Sequence, residues 1–146
     1  LPRSRGLGDV YKRQILDISA SGMHAQTVRL NTIASNMANA DSVSSNKDET
    51  YKSKQPVFQT ILEGNEYEPA SGVRVKEIVE SEAPAKMEYN PNHPMADEKG
   101  YIYRPNVNVV EEMANMLSAS RSYETNIEVL NTSKQLLLRT IQLGKQ

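Results

Sequence analysis

The sequence contains no cysteine and no tryptophan, and Phe58 is its only phenylalanine. Without cysteine the chain forms no disulfide framework, binds no metal through thiolates and has no thiol nucleophile. It also lacks an apolar run of about 18 residues, so the sequence predicts no membrane-spanning helix. A total of 17 Lys and Arg against 18 Asp and Glu gives a formal net charge of -1 without a basic block, which disfavours nucleic acid as a partner.

Residues 1–14, LPRSRGLGDVYKRQ, differ in character from the rest of the chain. They carry four basic residues against Asp9 alone and lack the apolar stretch of a secretory signal. The run from Ser4 to Gln14 resembles the translation of a transposase adaptor used in sequencing libraries, so we interpret residues 1–14 as a non-native tail. The alternative is a basic arm for an anionic partner, although its charges do not share one helical face. Without the tail, 13 basic and 17 acidic residues remain, a formal charge of -4.

A seven-residue apolar period predicts a first helix within residues 15–40. The positions of its apolar stripe are Leu16, Met23, Leu30, Ile33 and Met37. Asn36 and Asn39 lie near the predicted end of this helix. Two interpretations stay open for them: the amides terminate the helix, or they form a network that joins neighbouring subunits.

Residues 109–146 predict a second, longer helix that runs from Val109 to Leu143. Its apolar stripe also repeats every seven residues and consists of Met113, Met116, Tyr123, Ile127, Leu130, Leu137 and Ile141. Asn108 and Glu111 resemble a capping box at its start, and Gly144 follows its last apolar residue. Within this helix Arg121 and Glu124, three residues apart, either pair with each other or reach across an interface.

The middle of the chain, residues 41–108, contains six prolines, which exclude a long helix. Short alternating patterns predict strands at residues 57–62, 73–79 and 101–103, with the last two as candidate partners. The polar segment from Ser42 to Lys54 predicts a mobile loop. We therefore expect a loop and β insertion between the two helices.

These patterns together predict a mainly α protein whose N- and C-terminal helices pair as an antiparallel coiled-coil-like core, with a small β-containing central insertion. One such pair buries little, so we expect the remaining apolar positions to contact other subunits in a polymer. Those positions are Ile18, Val28, Leu117, Val129, Leu136 and Leu138. A soluble helical hairpin that stays monomeric is the alternative.

No group of residues predicts catalysis, a metal site or a bound cofactor. His93 stands near Asp97, but further His or Cys residues that would complete a metal site are missing. Ser21 and His24 lack the strand, turn and helix context of a nucleophile. Glu111 and Glu112 are explained by the preference of helix starts for acidic side chains. We expect a protein that is not an enzyme.

The segment Leu30–Ser42, LNTIASNMANADS, is similar to the N-terminal signature of the flagellar rod, hook and hook-associated proteins. Four further segments in the C-terminal half resemble rod members of this family in the same order and spacing. They are YNPNHPMAD at 89–97, GY at 100–101, PNVNVVEEM at 105–113 and RSYE at 121–124. The resemblance covers Ile15 to Gln146.

This resemblance implies a structural subunit of the proximal rod of the flagellar basal body, part of the drive shaft for motility. It implies export by the flagellar type III apparatus without a cleavable signal peptide, and partners that are other rod proteins and further copies of the chain. Terminal helices would line a helical tube and the β insertion would point outward. A soluble coiled-coil adaptor or export chaperone is the alternative, and a peptidoglycan hydrolase is a third hypothesis for which no carboxylate pair stands out.

Overall fold

A computed structural model describes residues 3–63 and 70–144. Two long helices, α1 and α2, enclose four strands and a single 3-10 turn. The elements in chain order are α1 (Arg3–Ala38), the 3-10 turn (Lys47–Glu49), β1 (Lys54–Glu63), β2 (Ala70–Glu80), β3 (Lys86–Tyr89), β4 (Tyr101–Arg104) and α2 (Val109–Leu143). The expectation of two terminal helices around a small β-containing middle is confirmed at this level.

The bounds of α2 coincide with the prediction. Its first turn contains Glu111 and Glu112, where carboxylates interact favourably with the helix dipole. The backbone N–H of Glu111 lies 3.5 Å from the Asn108 side-chain oxygen, which is the capping contact expected from the sequence.

Helix α1 begins at Arg3, so the predicted start at residue 15 is wrong. No proline interrupts the chain between Arg3 and Ala38. Once a helix has nucleated, adding a residue without a strong helix preference costs little free energy, so the helix extends beyond its apolar stripe. The helix ends near the predicted point. Asn39 donates its side-chain N–H to the Ser35 carbonyl at 2.8 Å, and Ser42 donates its hydroxyl to the Asn39 carbonyl at 2.8 Å.

All three predicted strand segments form strands, but the predicted pairing of residues 73–79 with residues 101–103 is wrong. Strand β1 pairs with β2, and β4 pairs with β3. The second pair is antiparallel, with Lys86 opposite Arg104 and Tyr89 opposite Tyr101. Only a short connection separates β3 from β4, so their pairing costs less loop-closure entropy than the predicted one.

The segment from Ser42 to Lys54 is ordered by hydrogen bonds, which contradicts the predicted mobile loop. Ser44 and Tyr103 exchange backbone hydrogen bonds of 2.9 and 3.0 Å. The Asn46 side chain accepts from the Asp48 N–H at 3.1 Å and begins the 3-10 turn. Thr50 is only 6% exposed. Polar side chains here satisfy the backbone instead of solvent, which composition alone does not reveal.

The chain divides into two compact units, which we describe separately. Unit 1 comprises Leu1–Val28, Phe58–Lys76 and Ala119–Gln146, and its most buried apolar residues are Ala25 and Ala119. Unit 2 comprises Arg29–Val57 and Glu77–Ser118, and it buries Ile33, Ile102 and Val107. Both cores are small. In the part of the chain that the structure describes, no helix combines the length and apolar content needed to cross a membrane.

The connection between β3 and β4 is held by Asp97. Its carboxylate accepts from the backbone N–H of Tyr101 at 2.8 Å and of Lys99 at 2.9 Å. These bonds, the one from Tyr101 first, lower the pKa of Asp97 below its ordinary value. Gly100 adopts a φ of 81°, and a Cβ at this position would lie 3.0 Å from the Tyr89 ring and from the Pro91 side chain.

We predict that Gly100→Ala destabilises the protein by at least about 1–2 kcal/mol, because an L-residue is strained at this φ and the added methyl group meets two side chains. Urea unfolding measures the change. Gly144→Ala is the matched control, since a Cβ there meets only ordinary contacts of 3.5 Å or more and we expect little effect. Equal midpoints for both variants would contradict the prediction.

Candidate functional site: the polar seam and the exposed apolar positions

In unit 2 the centre of the contact between α1 and α2 is a polar side chain, Asn36, which is 1% exposed. Its amide nitrogen donates to the Lys54 carbonyl at 2.8 Å and to a Glu112 carboxylate oxygen at 3.1 Å. Its amide oxygen accepts from the Tyr51 hydroxyl and from the Lys54 N–H, both at 2.9 Å. The amide therefore uses both donor hydrogens and both acceptor lone pairs within one chain, joining α1, β1 and α2.

Glu112 brings a carboxyl group into this junction, and the residue is only 6% exposed. Burial raises the pKa of Glu112 above its ordinary value, and the negative charge of Glu111 raises it further, while the hydrogen bond from Asn36 acts in the opposite direction. Three residues further along α2, Asn115 accepts a bond of 3.4 Å from the Arg29 guanidinium. The two helices thus meet through polar groups in this unit.

Asn106 fixes the strands of unit 2 next to this junction. Its side-chain oxygen accepts from the Ser53 N–H at 2.8 Å, and its side-chain nitrogen donates to the Ala83 carbonyl at 2.8 Å. Lys86 donates to the Val107 carbonyl at 2.9 Å, directly before α2. These contacts order the chain that enters α2, and none of them was predicted from the sequence.

In unit 1 the two helices approach through small side chains. A Cβ on Gly22 would lie 3.0 Å from the Asn126 amide nitrogen, so the helix backbone comes close to the facing side chain. Ala25 and Ala119 are 1% and 0% exposed. Ser21 accepts from the Val73 N–H at 3.1 Å and so attaches β2 to α1 within this unit. We call the polar contact between α1 and α2 in unit 2, made by Arg29, Asn36, Glu112 and Asn115, the polar seam.

The predicted apolar stripes lie mainly at half-buried positions. Their half-buried members are Leu16, Met23, Leu30, Met37, Met116, Tyr123, Ile127, Leu130 and Leu137. Ile33 is buried, whereas Met113 and Ile141 are 54% and 49% exposed. Arg121 and Glu124 are exposed, and Asn39 is half-buried at the end of α1. Sequence reasoning missed Glu112 and Ala119 as buried positions, because neither carries an apolar signal strong enough to mark a helix face.

Large apolar side chains remain exposed outside the polar seam. On the first turns of α2, Val110 and Leu117 are 75% and 68% exposed. Towards its end Leu136 and Leu138 are 54% and 50% exposed, and on α1 Ile18 is 42% exposed. Their recurrence along α2 makes this helix a candidate interaction surface.

The described residues that could suggest a metal site or a nucleophile are held in local hydrogen bonds. Within residues 3–63 and 70–144, no three His, Asp or Glu side chains come together as a metal-binding group. His93 accepts a hydrogen bond from the Met95 N–H at 3.0 Å through its Nδ1 atom. Ser21 donates its hydroxyl to the Ile18 carbonyl at 2.8 Å and is held as a structural group. Interaction surfaces, rather than a reaction centre, are what the geometry offers.

Comparison with known proteins identifies both ends of the chain with flagellar rod sequences. The family model described as "Flagella basal body rod protein" matches residues 16–44. The family model described as "Flagellar basal body rod FlgEFG protein C-terminal" matches residues 98–143. Together they cover α1 from residue 16 to its end, which includes Asn36, and all of α2. The chain is therefore in the class of flagellar basal-body rod proteins.

Full-length relatives narrow the class. The flagellar basal-body rod protein FlgC of Salmonella typhimurium is 50% identical over 131 residues, which cover 90% of this chain and 96% of the relative. FlgC of Yersinia enterocolitica is 49% identical over the same share of both chains. FlgC of Aquifex aeolicus is 43% identical over 89% of this chain and 95% of the relative.

The chain belongs to the FlgC family of flagellar basal-body rod proteins. It is a structural subunit of the basal-body rod. The relatives carry the names of rod proteins rather than of enzymes, in agreement with the expectation of a protein without catalytic activity.

We predict that Asn36→Ala lowers the free energy of unfolding by about 3 kcal/mol, because it leaves several buried polar groups without their partner. Urea unfolding measures the loss. Asn39→Ala is the control: its side chain makes one exposed bond, so we expect a loss below about 1 kcal/mol. A similar small loss for both variants would contradict the central place of Asn36.

We predict that Glu112→Gln removes a pH dependence from the stability of the chain. Burial raises the pKa of Glu112 in the folded state above its ordinary value, so the contribution of this group to stability is full below the pKa of the unfolded chain and is lost as the pH rises through the folded pKa. Glutamine keeps a side-chain oxygen that can accept the hydrogen bond from Asn36, but it carries no charge. The variant's thermal midpoint is therefore expected to match or exceed that of the unsubstituted chain at neutral pH.

The control for this experiment is Glu111→Gln, since Glu111 is exposed in the same helical turn. It is expected to change the slope of stability with pH much less than Glu112→Gln. A lower thermal midpoint of Glu112→Gln at neutral pH would show that the ionised carboxylate stabilises the junction.

Proposed function

We propose that this chain polymerises through its two terminal helices into the proximal rod, forming part of the drive shaft used for motility. The observation that carries this proposal is the exposure of large apolar side chains along α2, of which Leu117 and Leu138 are examples. Burying them against other subunits supplies a driving force of about 25 cal/mol per Å² of apolar area. A head-to-tail contact that does not close into a ring generates a tube.

We further propose that α1 and α2 pair as an antiparallel coiled-coil-like core in the assembled subunit. Contacts within unit 2 support this: Asn36 bonds to Glu112, and seven residues earlier in α1 Arg29 bonds to Asn115, three residues later in α2. The order of contacts along the two helices is thus opposite. The polar seam supports this pairing within unit 2.

The interface with neighbouring subunits is proposed to use the predicted stripes together with the exposed positions beside them. On α1 its members are Leu16, Met23, Leu30, Met37 and Asn39, and on α2 they are Met113, Met116, Arg121, Tyr123, Glu124, Ile127, Leu130, Leu137 and Ile141. Ile33 and Asn36 are assigned to the inside of the subunit, since Ile33 is 4% exposed and the Asn36 amide is fully bonded there. Arg121 and Glu124 are exposed and available to fix the register between subunits.

The organisation of the chain follows from this role. We propose residues 1–14 as a non-native tail, 15–40 and 109–146 as the rod helices, and 41–108 as the outward-pointing arm. Family membership supports other rod proteins and further copies of the chain as partners. It also favours export by the flagellar type III apparatus without a cleavable signal peptide, with the finished subunit in the periplasmic part of the rod.

We predict that Leu138→Asp abolishes incorporation into rods and motility when it replaces the native subunit, because it places a charge where an apolar contact forms. Leu138 is 50% exposed, so the variant is expected to fold normally. Swimming assays in a strain that lacks its own subunit, with isolated basal bodies probed for the variant, measure the effect.

The matched control is Gln135→Asp, which adds the same charge at an exposed polar position one turn earlier. It is expected to support normal rods. Normal motility with Leu138→Asp would contradict the proposed interface. Loss of motility with both variants would also contradict it, because the loss would then follow from an added charge anywhere on this part of α2 and not from a lost apolar contact.

A further inference from the structure

Strand β3 has a partner on one side only. On the side of β4 that faces away from β3, the Tyr103 carbonyl accepts from the Ser44 N–H at 2.9 Å, and the Tyr103 N–H donates to the Ser44 carbonyl at 3.0 Å. Tyr101 directs its carbonyl to the Asp97 N–H and its N–H to the Asp97 carboxylate, both at 2.8 Å. The backbone groups of these two tyrosines therefore point away from β3.

The register then fixes which residues of β3 face outward. In an antiparallel pair, residues alternate between those bonded to the partner strand and those whose backbone groups point away. Met87 lies opposite Tyr103 and Tyr89 opposite Tyr101, so these are the pairs without bonds between β3 and β4. Met87 and Tyr89 consequently present their N–H and C=O groups on the free edge, and no described residue bonds to them there.

The side chains of this edge are equally accessible. Met87 and Tyr89 are 62% and 65% exposed and share one face of the strand. Lys86 and Glu88 lie on the other face and are also exposed. An open edge with apolar side chains is a template for another strand.

Charge decides which strand fits. If the edge pairs with itself in antiparallel orientation with Met87 opposite the second copy's Met87, each Lys86 lies opposite a Glu88. If Met87 is opposite Tyr89 instead, the two Glu88 carboxylates face each other, which is unfavourable. The strand is thus complementary to itself in the register centred on Met87, where each Lys86 that donates to the Val107 carbonyl comes next to a Glu88 carboxylate that already accepts from Arg104.

We propose that β3 pairs with β3 of a second copy of the chain, antiparallel and centred on Met87, to form a four-stranded sheet across the contact. Pro84 and Pro91 flank the strand and cannot donate backbone hydrogen bonds, so they confine the pairing to this short segment. A two-fold contact closes on itself and adds one copy only. The proposed β3–β3 contact covers the free edge of β3 in the unassembled subunit, and it does not depend on rod formation through the helices.

The small length of the edge makes this a weak, reversible dimer, of the class that buries less than about 1,200 Å².

The test uses the chain carrying Leu138→Asp, in which association through α2 is suppressed. Because the sequence contains no cysteine, a single introduced thiol reports one contact. Opposed residues in a bonded antiparallel pair lie about 5.5 Å apart at Cα, within disulfide range.

Met87→Cys is expected to form a disulfide-linked dimer at least about tenfold faster than Met95→Cys under the same mild oxidant, because pairing raises the effective concentration of the thiols. Met95 is an exposed methionine outside the strand and serves as the matched control. Equal rates for the two variants would show random collision and would overturn the proposal.

Sedimentation at increasing concentration supplies the second measurement. The Leu138→Asp chain is expected to shift from monomer towards dimer, and adding Met87→Pro is expected to abolish the shift. Proline removes only the outward N–H at this position, so the β3–β4 bonds stay available and circular dichroism is expected to be unchanged. A chain that stays monomeric throughout, or that dimerises equally with Met87→Pro, would overturn the proposal.

Discussion

The side-chain amide of Asn36 is the interaction on which unit 2 depends. It is almost fully buried, and each of its four hydrogen-bonding positions is occupied by a different group from α1's neighbours: the Lys54 carbonyl and N–H, the Tyr51 hydroxyl and the Glu112 carboxylate. A buried amide is tolerated only when its bonds are complete, and a complete set specifies one arrangement of the elements that supply them. Helix, strand and helix are thereby fixed together without a large apolar core.

A polar seam has a consequence for the outer surface of the helices. In unit 1 the helix backbone at Gly22 comes close to a facing side chain and Ala119 is buried, and in unit 2 the helices meet at Asn36, while Leu117, Leu136 and Leu138 of α2 stay exposed. The exposed side chains of α2 then remain available for other subunits. This distribution supports the proposal that the subunit buries further apolar area when it assembles.

The sequence predicted α2 and the end of α1 well but missed the start of α1 at Arg3, since a seven-residue apolar period and clear end signals mark Val109 and Leu143 but nothing marks Arg3. It predicted strand positions but not their partners, since pairing depends on connections such as the turn at Gly100. The polar seam was missed: periodicity detects Leu and Met, whereas Glu112 is buried only because Asn36 faces it across the chain. The function was predicted from the resemblance to a family. The structure adds that apolar side chains of α2 are exposed and available for contacts with other subunits.

Amide hydrogen exchange along α2, in the free chain and in assembled rods, tests the central claim most directly. The polar seam predicts slow exchange around Asn36 and Glu112 already in the free chain. Residues 130–143, whose apolar side chains are largely exposed, are predicted to exchange quickly when free and slowly in rods. Strong protection along the whole of α2 in the free monomer, unchanged on assembly, would contradict the claim that its exposed apolar positions wait for other subunits.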